Sequence, residues 1–257
     1  MRPLKALGQN FLIDPGIAEA IVAKAGIAAG DQVWEIGPGR GILTRALLKT
    51  GCQLRAFELD RRLEQSLREE FGTRIELVMG DILRLDWQEQ FGIGSQPLKL
   101  VANIPYNITS PLLTLLEKYH QHFDSITLMV QNEVADRICA PPACKAYGVM
   151  TLLLRRIFDA SVLLKVPRGN FTPVPEVDSA VLALRPRAIP PTIPDLNKYL
   201  SLITLAFSHR RKTLRNNLSS LADKPGLERI QRNSGIDLSR RGETLSETEF
   251  ITLSAHL

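Results

Sequence analysis

The sequence predicts an α/β protein in which a mostly parallel sheet, with helices on both faces, is followed by a small helical domain. Three observations support this fold class. Strand-like apolar runs alternate with helical segments over the first three quarters of the chain. Four successive strand-like runs end in a glycine-rich loop or a polar side chain, at the edge where open α/β sheets bind their ligands. A proline-rich linker at 189–194 then precedes segments with helical periodicity only.

The first 30 residues are expected to form an N-terminal arm and a first helix. Asp14-Pro15 is a favourable helix start, because proline fits the first helical position, and Ile17, Ala20 and Ile21 then fall on one face. The strands that follow are predicted at 32–36, 53–58, 75–79, 98–102, 125–130, 160–166 and 179–184, with helices at 42–49, 61–71, 109–118, 131–138 and 147–155.

The segments after the linker predict short helices at 196–207, 213–221, 227–235 and 246–256. We therefore expect one large domain over residues 1–187, which includes the arm at 1–30, and a helical domain over residues 188–257.

Composition narrows the class of protein. The chain has 257 residues, and 44% of them are hydrophobic, which suits a packed core. Its 32 Lys and Arg residues exceed the 27 Asp and Glu residues by five, which permits a polyanionic partner without requiring one. No apolar run is long enough to span a membrane, and no signal peptide is apparent. Three cysteines without a C-x-x-C pair favour a reducing cytoplasm, and we expect no metal site.

A glycine-rich stretch, E-I-G-P-G-R-G at 35–41, lies between a predicted strand and a predicted helix. Glycines let the backbone turn sharply and let a ligand approach without a Cβ in the way. Dinucleotide sites use G-x-G-x-x-G, with pyrophosphate at the helix N-terminus, whereas the spacing here is G-x-G-x-G. The carboxylate of Glu35 would repel a pyrophosphate and suits a positively charged ligand, such as an amino acid that carries a sulfonium.

Acidic side chains end the next two strands. Glu58 is placed to accept hydrogen bonds from both hydroxyls of a ribose. Asp81 could accept from the exocyclic amine of an adenine, with Ile82 packed on the ring. The alternatives are that Glu58 pairs with Arg61 and that Asp81 is a simple cap. As an ordered set, however, these residues favour S-adenosylmethionine over a nicotinamide cofactor.

The fourth strand ends in Asn103-Ile104-Pro105-Tyr106. Proline cannot continue a sheet ladder, so these residues are expected to form a tight loop at the carboxyl end of the strand. The oxygen of Asn103 and the carbonyl of Ile104 could accept both hydrogens of a planar amine, and Tyr106 offers a flat face. The alternative is a strand-ending turn with a packed tyrosine.

These motifs carry a resemblance. The ordered set E-x-G-x-G-x-G, F-E-L-D, G-D-I and N-I-P-Y resembles class I methyltransferases that act on the exocyclic amine of adenine. Q-N-F-L at 9–12, F-T-P-x-P-x-V-x-S at 171–179 and F-S-H-R-R-K-T-L-R-N-N-L at 207–218 narrow the resemblance to the bacterial small-subunit (16S) rRNA adenine dimethyltransferases. The related 23S rRNA enzymes share the first motifs and are less expected to carry the last two.

The resemblance implies a Rossmann-like class I methyltransferase domain at 1–187, which binds S-adenosylmethionine, and a helical RNA-binding domain at 188–257. Residues of the arm would close over the cofactor, the glycines would lie against its methionine part, and the acids would hold its ribose and adenine. The implied cofactor-binding residues are Asn10, Leu12, Glu35, Gly37, Gly39, Glu58, Leu59, Asp81, Ile82 and Asn103.

For catalysis, Asn103 would lie between the transferred methyl group and the target base. Tyr106 would stack on that base, and Phe171 would cover its other face. The alternative for Phe171 is a core aromatic residue beside two prolines. The catalytic residues implied are Asn103, Ile104, Pro105, Tyr106 and Phe171, and they would act by positioning and electrostatic stabilisation.

Basic residues cluster at 210–215, where a helix would present a positive ridge to several phosphates. A solvated helix face is the alternative. The predicted RNA contacts are Arg210, Arg211, Lys212, Arg215, Lys145 and Tyr147, with Arg2 and Lys5 added from the arm.

The function implied is dimethylation of N6 of two adjacent adenines near the 3′ end of 16S rRNA, within an immature 30S subunit, by a cytoplasmic enzyme. Nothing in the sequence suggests an obligate dimer, so a monomer is expected. Two rival hypotheses remain open at this point: an assembly factor for which methylation is secondary, and the same chemistry on DNA or 23S rRNA.

Overall fold

The computed structural model describes residues 8–91 and 97–257, so the predicted contacts of Arg2 and Lys5 lie outside the described residues. The strands are β1 (Phe11–Leu12), β2 (Gln32–Ile36), β3 (Gln53–Glu58), β4 (Ile75–Met79), β5 (Leu98–Asn103), β6 (Phe123–Gln131), β7 (Phe158–Val166), β8 (Phe171–Thr172) and β9 (Ser179–Pro186). The helices are α1 (Pro15–Ala25), α2 (Ile42–Leu48), α3 (Arg61–Phe71), α4 (Trp87–Phe91), α5 (Thr109–Lys118), α6 (Asn132–Cys139), α7 (Val149–Arg155), α8 (Leu196–Ala206), α9 (Leu214–Asn217), α10 (Lys224–Ser234) and α11 (Glu247–Ser254). Within the ranges described, the helices are too short or too polar to cross a membrane.

Seven strands form one sheet in the order β4-β3-β2-β5-β6-β9-β7. The strands β2 to β6 pair in parallel, and β9 pairs antiparallel with β6. This confirms the predicted α/β class with a mostly parallel sheet. The order runs outward from β2 in one direction and from β5 in the other, so the sheet has a switch point between these two strands, which is where such sheets bind ligands.

The parallel register brings the carboxyl ends of four strands to one edge. Ile36 at the end of β2 lies between Phe57 of β3 and Ala102 of β5, and Glu58 lies opposite Met79 of β4. The residues that follow these positions are therefore neighbours in space although they are far apart in sequence.

Most predicted elements are confirmed to within a few residues, because their apolar periodicity and end signals are local. The helix α1 begins as expected: Asp14 Oδ1 accepts a hydrogen bond from Gly16 N at 2.8 Å, and Pro15 occupies the first turn. The predicted helix at 213–221 was too long, since α9 covers only Leu214–Asn217. The short pair β1–β8 was not predicted, because two-residue strands leave no periodic pattern.

The chain divides into two compact units. The described residues up to Ala135 form the first unit together with Asp159–Pro186, and the second comprises Asp136–Phe158 and Arg187–Leu257. The sequence placed residues 136–158 in the first domain, and the structure groups them with the C-terminal helices. The physical reason is packing: Tyr147 and Leu152 are buried in the same apolar core as Tyr199 and Leu202.

Candidate active site

A cleft of the first unit lies at the carboxyl edge of the sheet, at the switch point. It brings together all but one of the residues predicted to bind the cofactor. The side chains and backbone that line it belong to Gln9, Asn10, Phe11, Leu12, Ile36, Gly37, Pro38, Gly39, Arg40, Ile42, Leu43, Phe57, Glu58, Leu59, Gly80, Asp81, Ile82, Asn103, Pro105, Asn107 and Ile108.

The glycine-rich loop forms one wall of the cleft. Gly37 has φ +71° and Gly39 has φ +59°, a backbone region that favours glycine. A Cβ at Gly37 would lie 3.6 Å from the carbonyl oxygen of Asn103, and one at Gly39 would lie 3.0 Å from the ring of Phe11. A Cβ at Gly37 would be in ordinary contact, so the positive φ alone favours glycine there, whereas at Gly39 the close approach of the Phe11 ring also disfavours a side chain.

Glu58 ends β3 and faces the cleft while it is almost completely buried. Its Oε2 accepts a hydrogen bond from Gly39 N at 3.0 Å, and its Oε1 accepts one from Asp60 N at 2.8 Å. Burial raises the pKa of this carboxyl above its ordinary value. Two backbone amides fix the carboxylate, and its remaining lone pairs can still accept hydrogen bonds from a ligand.

Glu35 is a correction to the prediction that its carboxylate contacts the cofactor. The side chain is fully buried and does not line the cleft. Thr44 Oγ1 donates to its Oε2 at 2.7 Å, and its Oε1 has no hydrogen-bond partner among the described residues. Burial raises the pKa of Glu35 to about 8, so the carboxyl is mostly protonated at neutral pH. Glu35 is the fourth residue of β2, and its side chain is buried against Thr44 of α2.

Asp81, which follows β4, is more exposed than Glu58. Asp81 Oδ1 accepts from Leu83 N at 3.0 Å, which closes a tight turn, and its Oδ2 lies 3.5 Å from the guanidinium of Arg84. Leu59 is 49% exposed, and Ile82 is buried. Because these two apolar side chains line the same cleft as the Asp81 carboxylate, they leave space for a flat ring with a polar edge.

The loop after β5 is placed beside this wall. Asn103 and Pro105 line the cleft, whereas the Ile104 side chain is buried and anchors the loop. Tyr106 does not itself line the cleft. Its ring is half-buried, and its hydroxyl lies 2.7 Å from Ser179 Oγ at the start of β9. Burial raises the pKa of Tyr106, so the phenol stays neutral.

Phe171 is the second correction. The prediction that its ring covers a target base is not met, because the side chain is only 1% exposed and lies in the main apolar core of the first unit. It sits in β8, opposite Leu12 of β1. The Phe171 ring therefore packs in the core together with Leu12 of the arm. This is the alternative of a core aromatic residue that the sequence left open.

The arm contributes four consecutive residues to the cleft, Gln9 to Leu12. Asn10 and Leu12 lie where they were predicted. Gln9 and Phe11 were missed, although they belong to the same motif: Gln9 Nε2 donates to Asp60 Oδ2 at 2.9 Å, and the Arg40 guanidinium lies 4.7 Å from the centre of the Phe11 ring. Asn107 was also missed. The signal that the sequence offers for it is its position directly after the loop at 103–106.

In the second unit, the basic cluster forms a turn between α8 and α9 rather than the expected helical ridge. Arg210 donates to the Tyr147 carbonyl oxygen at 3.2 Å and pairs with Glu243 at 2.8 Å, and Arg215 donates to Gln231 Oε1 at 3.0 Å. Arg211, Lys212 and Lys145 are exposed.

Tyr147 is the third correction. The sequence placed it in contact with RNA, but the side chain is 0% exposed and packs against Phe207 at a ring-centroid distance of 5.9 Å. The prolines at 141 and 142 indicated a break with exposed side chains, but the Tyr147 ring enters the core of the second unit.

Comparisons with known proteins find relatives that are similar over nearly the whole chain. Residues 3–255 match the family model described as ribosomal RNA adenine dimethylase. A ribosomal RNA small subunit methyltransferase A from Laribacter hongkongensis is 44% identical over 98% of this chain and 95% of its own. Two solved structures are similar over nearly their whole length. One is the 23S rRNA methyltransferase ErmE (TM-score 0.75, 28% identity, 96% of this chain and 99% of that one), and the other is a dimethyladenosine transferase from Plasmodium falciparum (TM-score 0.76, 25% identity, 95% of each).

Proposed function

Because the chain belongs to the ribosomal RNA adenine dimethylase family, we propose that it transfers methyl groups from S-adenosylmethionine to N6 of two adjacent adenines near the 3′ end of 16S rRNA. The observation that carries the proposal is the cleft at the switch point, where Glu58 and Asn103 end β3 and β5, and Asp81 follows β4, around a glycine-rich loop. We further infer that it acts as a cytoplasmic monomer on an immature small subunit.

The residues present fit S-adenosylmethionine. Gly37 and Gly39 line the cleft without side chains, Glu58 offers carboxylate lone pairs for a ribose, and Leu59 and Ile82 line the same cleft as the Asp81 carboxylate, as an adenine ring with a polar edge requires. When bound there, the cofactor supplies an electrophilic methyl group. The other steps belong to the side chains and backbone of the protein.

The target amine is a poor nucleophile, because its lone pair is delocalised into the adenine ring. In our proposal, Asn103 Oδ1 accepts one of its hydrogens and the carbonyl oxygen of Ile104 accepts the other. Both acceptors favour a pyramidal nitrogen, which returns the lone pair to that atom and aims it at the methyl group. The proton is lost after the transfer, when the nitrogen is cationic, so the reaction needs no strong base before attack.

In our proposal, Tyr106 stacks on the same base. Its hydroxyl is held by Ser179 Oγ at 2.7 Å, so that the half-buried ring presents one side beside the loop. Stacking of a base on such a ring is worth about 1–3 kcal/mol, which offsets much of the cost of extruding the base from its helix. Phe171 has no part in this proposal, because its ring is buried in the core.

RNA binding is assigned to the exposed cations of the second unit. Arg211 and Lys212 lie in the turn between α8 and α9, and Lys145 is exposed after the prolines at 141 and 142. Arg210 and Arg215 are engaged by Glu243 and Gln231, so we give them the role of shaping this surface. Contacts to phosphates of this kind weaken steeply with salt.

The similarity to ErmE makes 23S rRNA the second candidate substrate. The small-subunit relatives are much closer in sequence, with 44% identity for the Laribacter protein against 28% for ErmE, and this favours 16S rRNA. To test the choice, the protein is given unmodified small subunits, naked 16S rRNA and 23S rRNA with labelled cofactor. Mass spectrometry of the products should find two dimethyladenines in 16S rRNA from small subunits, and methylation of 23S rRNA alone would overturn the assignment.

Asn103→Ala tests the mechanism and separates an enzyme from an assembly factor. Loss of one preorganised acceptor should lower the rate of methyl transfer by about 10²–10³-fold and leave binding to small subunits intact. Asn216→Ala, which alters an exposed asparagine of α9, is the matched control and should keep full activity. Full activity in Asn103→Ala would refute the role of this residue.

A further inference from the structure

We propose that residues 8–12 form a strap across the cofactor cleft and that Gln9 and Asp60 are positioning residues that latch this strap. The inference rests on the proposed function, since a strap matters only if a cofactor is held beneath it. It goes beyond that function because it assigns the residence time of the cofactor to a contact with Asp60, a residue that does not line the cleft.

Asp60 is the fixed half of the latch. It is only 4% exposed, and its carboxylate receives Gln9 Nε2 at 2.9 Å on Oδ2, Arg62 Nη2 at 2.6 Å on Oδ2 and Arg62 Nε at 2.8 Å on Oδ1. Hydrogen bonds from Arg62 lower the pKa of Asp60 to about 2, so the acceptor is charged at neutral pH. A hydrogen bond to a charged, buried acceptor is stronger than one between neutral groups.

The latch is tied to the ribose-binding carboxylate. The backbone amide of Asp60 donates to Glu58 Oε1 at 2.8 Å, while Gly39 N donates to Oε2 at 3.0 Å. Asp60 therefore binds the arm through its side chain, and it binds Glu58 through its backbone amide. Asp60 does not itself line the cleft in the described part of the chain, so any effect of its side chain on the cofactor must pass through its partners.

The other wall of the cleft holds the strap as well. Gly8 has φ +61°, and a Cβ there would lie 2.9 Å from Asn107 Oδ1 and 3.7 Å from Pro105 Cβ. The arm thus rests on the loop that carries Asn103. Between its two ends, the ring of Phe11 covers Gly39, with the Arg40 guanidinium on its face. The strap therefore contacts the loop after β5 at Gly8, the N-cap of α3 at Gln9 and the glycine-rich loop at Phe11.

In this proposal a ligand beneath the strap leaves when the arm lifts, and lifting the arm breaks the bond between Gln9 and Asp60. The latch should therefore act on the dissociation rate of the cofactor and much less on its association rate. Loss of the bond should speed dissociation by about tenfold, which corresponds to about 1.4 kcal/mol.

The test measures the release of labelled S-adenosylmethionine from the full chain after a chase with excess unlabelled cofactor. Gln9→Ala removes the donor. Asp60→Ser removes the long carboxylate but still caps α3, whose Arg62 N now bonds Asp60 Oδ1 at 3.1 Å. Asp60→Asn keeps one oxygen that can accept from Gln9, but it loses the charge and one of the two oxygens that Arg62 bonds. Gln65→Ala is the control, as this exposed glutamine of α3 bonds only Glu69 at 2.7 Å.

We expect about tenfold faster release in Gln9→Ala and in Asp60→Ser, no further increase in the double variant, a smaller increase in Asp60→Asn, and a change of less than about threefold in Gln65→Ala. A purely structural role for Asp60 predicts instead that the effects of Gln9→Ala and Asp60→Ser multiply in the double variant, which would overturn the latch. Unchanged release in Gln9→Ala would also overturn it. If the wild-type protein does not bind the cofactor, the proposed function fails and the latch fails with it.

Discussion

The buried carboxyl of Glu35 makes the stability of the first unit depend on pH. Its side chain is fully buried, Oε1 has no partner among the described residues, and burial raises its pKa to about 8. Glu35→Gln replaces this carboxyl with a neutral group of the same shape that can still accept the hydrogen bond from Thr44. The substitution should stabilise the protein at alkaline pH.

The sign and size follow from proton linkage. In the unfolded chain the carboxyl ionises near its model value of 4.5, and in the folded chain it ionises near 8. Below pH 4.5 both states are protonated and nothing is lost. Between the two pKa values the unfolded chain releases the proton and the folded chain keeps it, so folding becomes less favourable by about 1.36 kcal/mol per pH unit. Above pH 8 the loss is complete and amounts to about 5 kcal/mol.

The assay is urea unfolding of both proteins from pH 5 to pH 9. Tryptophan fluorescence follows the right part of the molecule, because both tryptophans, Trp34 and Trp87, are buried in the first unit. The free energy of unfolding of Glu35→Gln minus that of the wild type should rise from under about 1 kcal/mol at pH 5 to about 3–5 kcal/mol at pH 8.5. Taking the difference cancels the titration of the other groups.

Glu19→Gln is the matched control, since Glu19 is exposed and pairs with Lys49 at the surface. Its difference from the wild type should stay within about 0.5 kcal/mol and change little with pH. If the difference for Glu35→Gln is equally flat from pH 5 to pH 9, Glu35 ionises in the folded protein as it does in the unfolded chain, and the inference that burial keeps it protonated is wrong.

Three further predictions concern the cleft and the basic turn. Glu58→Gln should weaken S-adenosylmethionine binding by about tenfold in calorimetry, because one of the two backbone donors loses its acceptor; unchanged affinity would exclude the ribose role. Gly39→Ala should lower the free energy of unfolding by about 1–2 kcal/mol, because φ is +59° and the new Cβ meets Phe11, whereas Gly169→Ala has open space and should be neutral in the same denaturation experiment. Neutralising Arg211 and Lys212 together should reduce the slope of log affinity for RNA against log salt by about 1.4–1.8 in filter binding, and an unchanged slope would show that the turn is merely solvated.

The sequence predicted the strand ends well because their signals are local. An apolar run that stops at glycine, proline or an acid predicts both a strand and the residue that follows it, and the parallel register then brings Gly37, Glu58, Asp81 and Asn103 together. The contacts of the arm could not be predicted in this way. The bond between Gln9 and Asp60 joins residues 51 positions apart and depends on how the chain turns at 8–12.

Burial explains the corrections at Glu35 and Phe171. Alternation along β2 does not reveal that Glu35 faces inward, because both faces of a parallel sheet are covered and no polar face marks the solvent side. For Phe171, two-residue strands carry no periodicity, so the pairing with β1 that buries the ring leaves no trace in the sequence. In both cases the residue type indicated a chemical role but did not show which way the side chain points.

The aromatic residues show what decides between a stacking platform and a core side chain. Phe171 and Tyr147 are both buried completely, and the hydroxyl of Tyr147 has no partner among the described residues. The hydroxyl of Tyr106, in contrast, is held at 2.7 Å by Ser179 on β9, the strand that runs antiparallel to β6. That bond fixes the ring at the end of the sheet and leaves it half-exposed after Pro105, because the phenol is satisfied without entering the core. The antiparallel strand, which contributes no residue to the cofactor cleft, thereby orients the one aromatic side chain assigned to the target base.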